Sequence, residues 1–110
     1  MNRGSVATLI VAACAAACGQ LLLKLGAQHR AHLVDFLNLP IGFGLLLYAL
    51  GTALWIYVLS SEKLITVYAF SALTLALVYA GALLVLGESL SMRGACGLGL
   101  VLAGLYLIAV

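Results

Sequence analysis

Polar residues break the chain into four long apolar stretches. The first runs from about Val6 to Leu25, the second from about Pro40 to Leu59, the third from about Leu64 to Leu86 and the fourth from about Met92 to Val110. About 20 consecutive apolar residues carry a helix across the hydrocarbon core of a bilayer, and each stretch approaches that length. The breaks are short and polar. Gln28-His29-Arg30-Ala31-His32 with Asp35-Phe36-Leu37-Asn38 form the longest, while Ser60-Ser61-Glu62-Lys63 and Gly87-Glu88-Ser89-Leu90-Ser91 are tight. Connections this short make neighbouring helices antiparallel. Pro40 suits a first helical turn, where its missing N–H costs nothing, and Ser91 suits the N-cap of the last helix. The expected fold is an all-α membrane protein, a single domain over residues 1–110 forming a bundle of four transmembrane helices.

Composition agrees with this pattern. Of 110 residues, 66% are hydrophobic and 7% charged, which leaves too few polar groups to cover a water-soluble domain. The net charge of +2 is far below what a nucleic-acid binder needs. A signal peptide is the other reading of the first stretch, since Arg3 precedes the apolar run and alanines surround Ala15 to Ala17. The run continues through Leu21, Leu22 and Leu23, too long for a cleaved leader, so the segment is expected to stay in the membrane.

The charges do not fix an orientation. With four helices, both termini and the second loop share one side, which holds Arg3 and Lys63. The other side holds Lys24, Arg30 and Arg93. That balance is too even for the positive-inside rule to decide. Cys14, Cys18 and Cys96 lie in apolar stretches with no histidine or carboxylate to complete a metal set, and they read as small packing residues. Neither a metal nor another cofactor is expected. No nucleophile–base pair appears either, so an enzyme is not expected.

Three helices carry polar stripes. On the first, Gln20 and Lys24 are four apart and share a face. Gln20 is the deeper and needs a partner on a neighbouring helix or a substrate. Lys24 either snorkels to the interface or meets a ligand. On the second, Tyr48, Thr52 and Trp55 fall at i, i+4 and i+7. On the third, Tyr68, Ser71 and Thr74 recur every third residue. Either stripe lines a cavity or is ordinary packing, with hydroxyls bonded to their own backbone and aromatic rings at the interface.

The fourth helix differs. Ala95, Gly99 and Ala103 are spaced by four, with Gly97 and Gly104 as further notches. Small residues at this spacing let helices approach closely, so this face is assigned to assembly, and a dimer is expected. No Asp or Glu lies in the middle of any stretch; Asp35, Glu62 and Glu88 are in loops or at helix ends. A proton-coupled cation exporter needs such a carboxylate for substrate and proton to compete over.

The run Gly19-Gln20-Leu21-Leu22-Leu23-Lys24 resembles the drug/metabolite transporter superfamily. So does the block from Val67-Tyr68-Ala69-Phe70-Ser71-Ala72-Leu73 through Gly87-Glu88-Ser89-Leu90-Ser91 to the glycine-rich last helix. The resemblance covers nearly the whole chain and points to the small multidrug resistance-like branch, with Glu88 marking its helix-end motif. Cation exporters of that branch carry a glutamate where this chain has Ala16. Gln20 after Gly19, with Lys24 four on, is most similar to the subunits proposed to flip undecaprenyl-phosphate-linked aminoarabinose. That subgroup usually has a proline where this chain has Ala69.

The resemblance implies a transporter in the bacterial inner (cytoplasmic) membrane, a membrane-lipid environment, and a homodimer or a heterodimer with a related four-helix subunit. The implied substrate is a lipid-linked sugar or another amphiphile, its tail in an apolar groove. Lys24 would meet the phosphodiester as a point charge, and Gln20, Tyr68 and Ser71 would bond the sugar. A small multidrug or cation exporter and a non-transporting accessory membrane subunit are the competing readings.

Overall fold

The computed structural model describes residues 3–28 and 32–109. Residues 29–31 of the first loop, including Arg30, and Val110 at the expected end of the last helix lie outside the described residues. Among those described, all regular structure is helical: α1 (Arg3–Ala27), a 3-10 turn (Leu33–Phe36), α2 (Leu39–Leu59), α3 (Leu64–Tyr68), α4 (Ser71–Leu84) and α5 (Met92–Ala109). Three segments are long and apolar enough to cross a membrane: Arg3–Ala27, Leu39–Leu59 and Leu64–Leu84. The fourth apolar helix is shorter, with an apolar run from Met92 to Ile108.

The observed bounds correct the expected ones. The first helix starts three residues earlier than Val6 and ends two later than Leu25. The second begins at Leu39, with Pro40 in its first turn. The third ends at Leu84 rather than Leu86, and it is two helices rather than one.

The interruption falls at Ala69–Phe70. There Phe70 N–H bonds Val67 O at 3.0 Å, Ala72 N–H bonds Ala69 O at 3.1 Å and Leu73 N–H bonds Phe70 O at 3.1 Å, each a tighter i→i−3 step. No proline or glycine occupies the site. Its neighbours Ile65, Thr66, Val67, Tyr68 and Phe70 are β-branched or aromatic, with χ1 freedom that a helix restricts, so continuing the α-helix gains least here.

The core of the fold is the antiparallel pair α1–α2. A Cβ placed on Gly19 would lie 2.8 Å from Gly44 O and 2.9 Å from Tyr48 N; one on Gly51 would lie 2.9 Å from Ala12 O. Real Cβ atoms do not sit so close to backbone, so glycine at these positions is what lets the two helices touch. At the far end Asn38 joins them. Its side-chain oxygen accepts from Ile41 N–H at 3.1 Å, capping α2, while its Nδ2 donates to Gly26 O at 2.9 Å, at the end of α1. At the other end Leu9, Val58 and Val67 form a buried cluster, with Trp55, Leu59 and Phe70 packed around it. The helix α4 leans on α1, where Gly81 meets the Leu21 side chain.

Two helix ends follow local rules. Gly87 takes φ +69°, a left-handed conformation open to glycine, and Glu88 N–H returns to Ala82 O at 3.0 Å. In the Gly-Glu step the glycine therefore reverses the chain and Glu88 contributes its backbone, while its side chain is exposed. Ser91 Oγ accepts from Gly94 N–H at 3.0 Å and starts α5.

Candidate functional site

Small residues on α1 and α2, together with the interruption of the third segment, leave space between the helices. A cavity of about 430 Å³ occupies it, at the lower end of the usual range for small-molecule sites. From α1 come Leu9, Ala12, Ala13, Ala16 and Gln20; from α2 come Tyr48, Gly51, Thr52 and Trp55. The third segment adds Val67, Tyr68, Phe70, Ser71, Thr74, Leu75 and Val78. Each set recurs at three- and four-residue steps, so each helix contributes one face. The back wall is the close α1–α2 contact, one end is the Leu9, Val58 and Val67 cluster, and Gln20, Tyr48, Thr52 and Tyr68, all exposed, mark the open side.

The stripes on α1, α2 and the third segment thus converge. Gln20, Tyr48, Thr52, Trp55, Tyr68, Ser71 and Thr74 all line this one cavity. Lys24 does not. It is exposed, one turn beyond Gln20 and so about 6 Å farther along α1.

The polar groups differ in their commitments. Thr52 Oγ1 donates to Tyr48 O at 3.0 Å, the back-bonding common for hydroxyls in apolar helices. Gln20, Tyr68, Ser71 and Thr74 make no side-chain hydrogen bond to another described residue. The Trp55 and Tyr68 rings lie 5.9 Å apart with a tilt of 34°, joining α2 to α3 as an aromatic corner. Among the described residues Trp55 Nε1 is buried without an acceptor, so Trp55 meets the cavity through ring carbons.

No charged side chain lines the cavity among the described residues, and Ala16 stands in its wall. The described residues also hold no cluster of His, Cys, Asp or Glu suited to a metal. The arrangement can hold a ligand by shape, ring faces and neutral hydrogen bonds.

Sequence reasoning passed over the apolar floor of Ala12, Ala13, Gly51 and Phe70. Gly44 and Gly51, seven apart on α2, were the available signal for the close α1–α2 contact that forms the back wall. The residues expected to assemble, Ala95, Gly99 and Ala103, are all exposed on α5 and take no part in the cavity. Cβ atoms added at Gly97, Gly99 and Gly104 would meet nothing within 4 Å.

No protein-family model, curated protein or solved structure matches this chain.

Proposed function

We propose that this chain is a small membrane transporter that flips a polyprenyl-phosphate-linked sugar or a similar amphiphile, with α5 as its fourth span and a dimer as its working form. The observation that carries this reading is the uncharged polar and aromatic cavity between α1, α2 and the interrupted third segment. Its residue types suit a headgroup that hydrogen-bonds, and its open side gives a tail a route to lipid. Lys24, exposed one turn beyond Gln20, would meet the phosphodiester of a sugar held in the cavity. The work is non-covalent, so the proposal assigns no catalytic residue.

At 18 residues α5 would span about 27 Å, close to the thickness of the hydrocarbon core. Its exposed small-residue face supports a related or identical subunit as its neighbour. The resemblance to the small multidrug resistance-like branch adds the inner membrane as the location. Ala16 in the cavity wall weighs against a proton-coupled cation exporter, since among the described residues the wall offers no carboxylate for a proton and a cation to share.

The test is outer-leaflet delivery of the lipid-linked sugar in cells carrying variants at matched membrane levels. Lys24→Gln should abolish delivery while expression and assembly stay normal, and Lys24→Arg should keep part of it, because the charge survives with altered geometry. Normal delivery with Lys24→Gln returns this residue to snorkelling and removes the phosphate contact from the proposal.

A further inference from the structure

Building on the reading of the cavity as a headgroup site, we infer that the headgroup it takes is an uncharged sugar ring, stacked in the Trp55–Tyr68 corner, and not an amino sugar. Three features carry this. The first is the absence of any charged lining residue among those described. An ammonium entering this space would leave water with no carboxylate to meet it. Asp35, Glu62 and Glu88 all lie outside the lining, and the faces of two aromatic rings return less than the hydration lost.

The second is the corner itself. Trp55 and Tyr68 both line the cavity, with ring centroids 5.9 Å apart at a 34° tilt and the Trp55 Nε1 buried, so the pair supplies a largely apolar aromatic surface. A pyranose has an apolar C–H face and a rim of hydroxyls, which matches such a surface backed by dispersed polar groups.

The third is the supply of uncommitted neutral partners. Gln20, Ser71 and Thr74 can both donate and accept, which suits hydroxyls that do the same. Thr52 is already bonded to Tyr48 O and serves as wall.

Trp55 is the chain's one tryptophan, so its emission reports on the cavity directly. The experiment uses the full chain in phosphatidylcholine nanodiscs, titrated below the micelle threshold with octyl β-glucoside and with the same glycoside carrying an amine in place of the 2-hydroxyl, at a pH where that amine is charged. The neutral glycoside should shift Trp55 emission saturably, and the amino glycoside should bind at least about tenfold more weakly. Ser71→Ala with Thr74→Val should weaken the neutral glycoside about fivefold. Ala16→Glu, which adds a carboxylate to the wall, should reverse the preference.

Equal or tighter binding of the amino glycoside overturns this inference and leaves the cavity standing as a headgroup site. A wild-type chain whose emission responds to neither probe overturns both the inference and the transporter reading on which it rests.

Discussion

Two regions of this molecule carry the same sequence signature and meet opposite fates. At the α1–α2 interface, glycine and alanine recur on facing helix surfaces, and added Cβ atoms would fall within 3 Å of the opposing backbone. On α5, Ala95, Gly99 and Ala103 recur with stricter spacing, yet positions such as Gly99 face open space. Small residues permit close approach but do not create it. A complementary partner is also required, because van der Waals packing in a membrane is gained only where two surfaces fit. The helices α1 and α2 are partners for each other within one chain. The large side chains around the α5 notches are also uncovered, with Leu100 76% and Leu107 74% exposed.

The sharpest way to break this comparison is to fill one notch in each region. Gly19→Leu would drive a side chain into Gly44 O and the Tyr48 backbone, neither of which can move without separating the helices. The expected loss is about 3 kcal/mol of folding stability, read by steric trapping or by a denaturing-detergent titration monitored by Trp55 emission. A Gly19→Leu chain as stable as wild type would mean that the α1–α2 contact does not hold the fold.

The same change on α5 should leave the single chain intact and act between chains. Gly99→Leu is expected to keep monomer stability within about 0.5 kcal/mol, since nothing among the described residues occupies that space. If α5 is the dimer face, the dissociation constant should rise by about thirtyfold, measured by subunit exchange in lipid. An unchanged constant would remove α5 from the dimer interface. The pair of variants then separates packing within the chain from packing between chains.

How much of this was legible beforehand follows from what each feature depends on. The three apolar helices of membrane-spanning length were readable because membrane thickness imposes a length that few other constraints mimic. Turn chemistry was readable at Ser91, where the residue's own side chain performs the cap. The polar stripes were readable as faces, because Tyr48, Thr52 and Trp55 share a side whatever lies opposite. Their convergence on one cavity was not, since it depends on how three helices rotate about their axes. The break at Ala69–Phe70 was hidden because neither a proline nor a glycine marks it, and weak helix preference in Ile65 to Phe70 decides it only in context. Gln20 and Lys24, four positions apart, share a face of α1, but only Gln20 lines the cavity. The glycines of α2 were harder to read, because Gly44 and Gly51 are seven apart while the small residues of α5 recur every four.

Helix caps sharpen the comparison on a smaller scale. Asn38 caps α2 through Ile41 N–H and also donates across the interface to Gly26 O. Asn38→Ala therefore removes a cap and an interhelical bond together, and leaves the Gly26 end of α1 without that donor. The expected cost is about 1.5 kcal/mol, read in the same detergent titration. A cost near zero would show that water or the loop takes over both roles.

Ser91→Ala is the smallest change and the control for all the others. Its Oγ accepts from Gly94 N–H, three residues on at the start of α5, and makes no hydrogen bond to another element among the described residues. Removing that oxygen should free one N–H in the first turn of α5, at a local cost of about 1 kcal/mol or less. The helix α5 makes only slight contact with α3 and α4, so little of that cost should reach the α1–α2 pair. Hydrogen exchange should therefore quicken at Gly94 and Ala95 while protection at Gly19 and Tyr48 stays as in wild type. If protection at Gly19 and Tyr48 fell together with that at Gly94, the start of α5 would be coupled to the α1–α2 pair. The two small-residue regions would then form one cooperative unit, and the contrast between them would have to be given up.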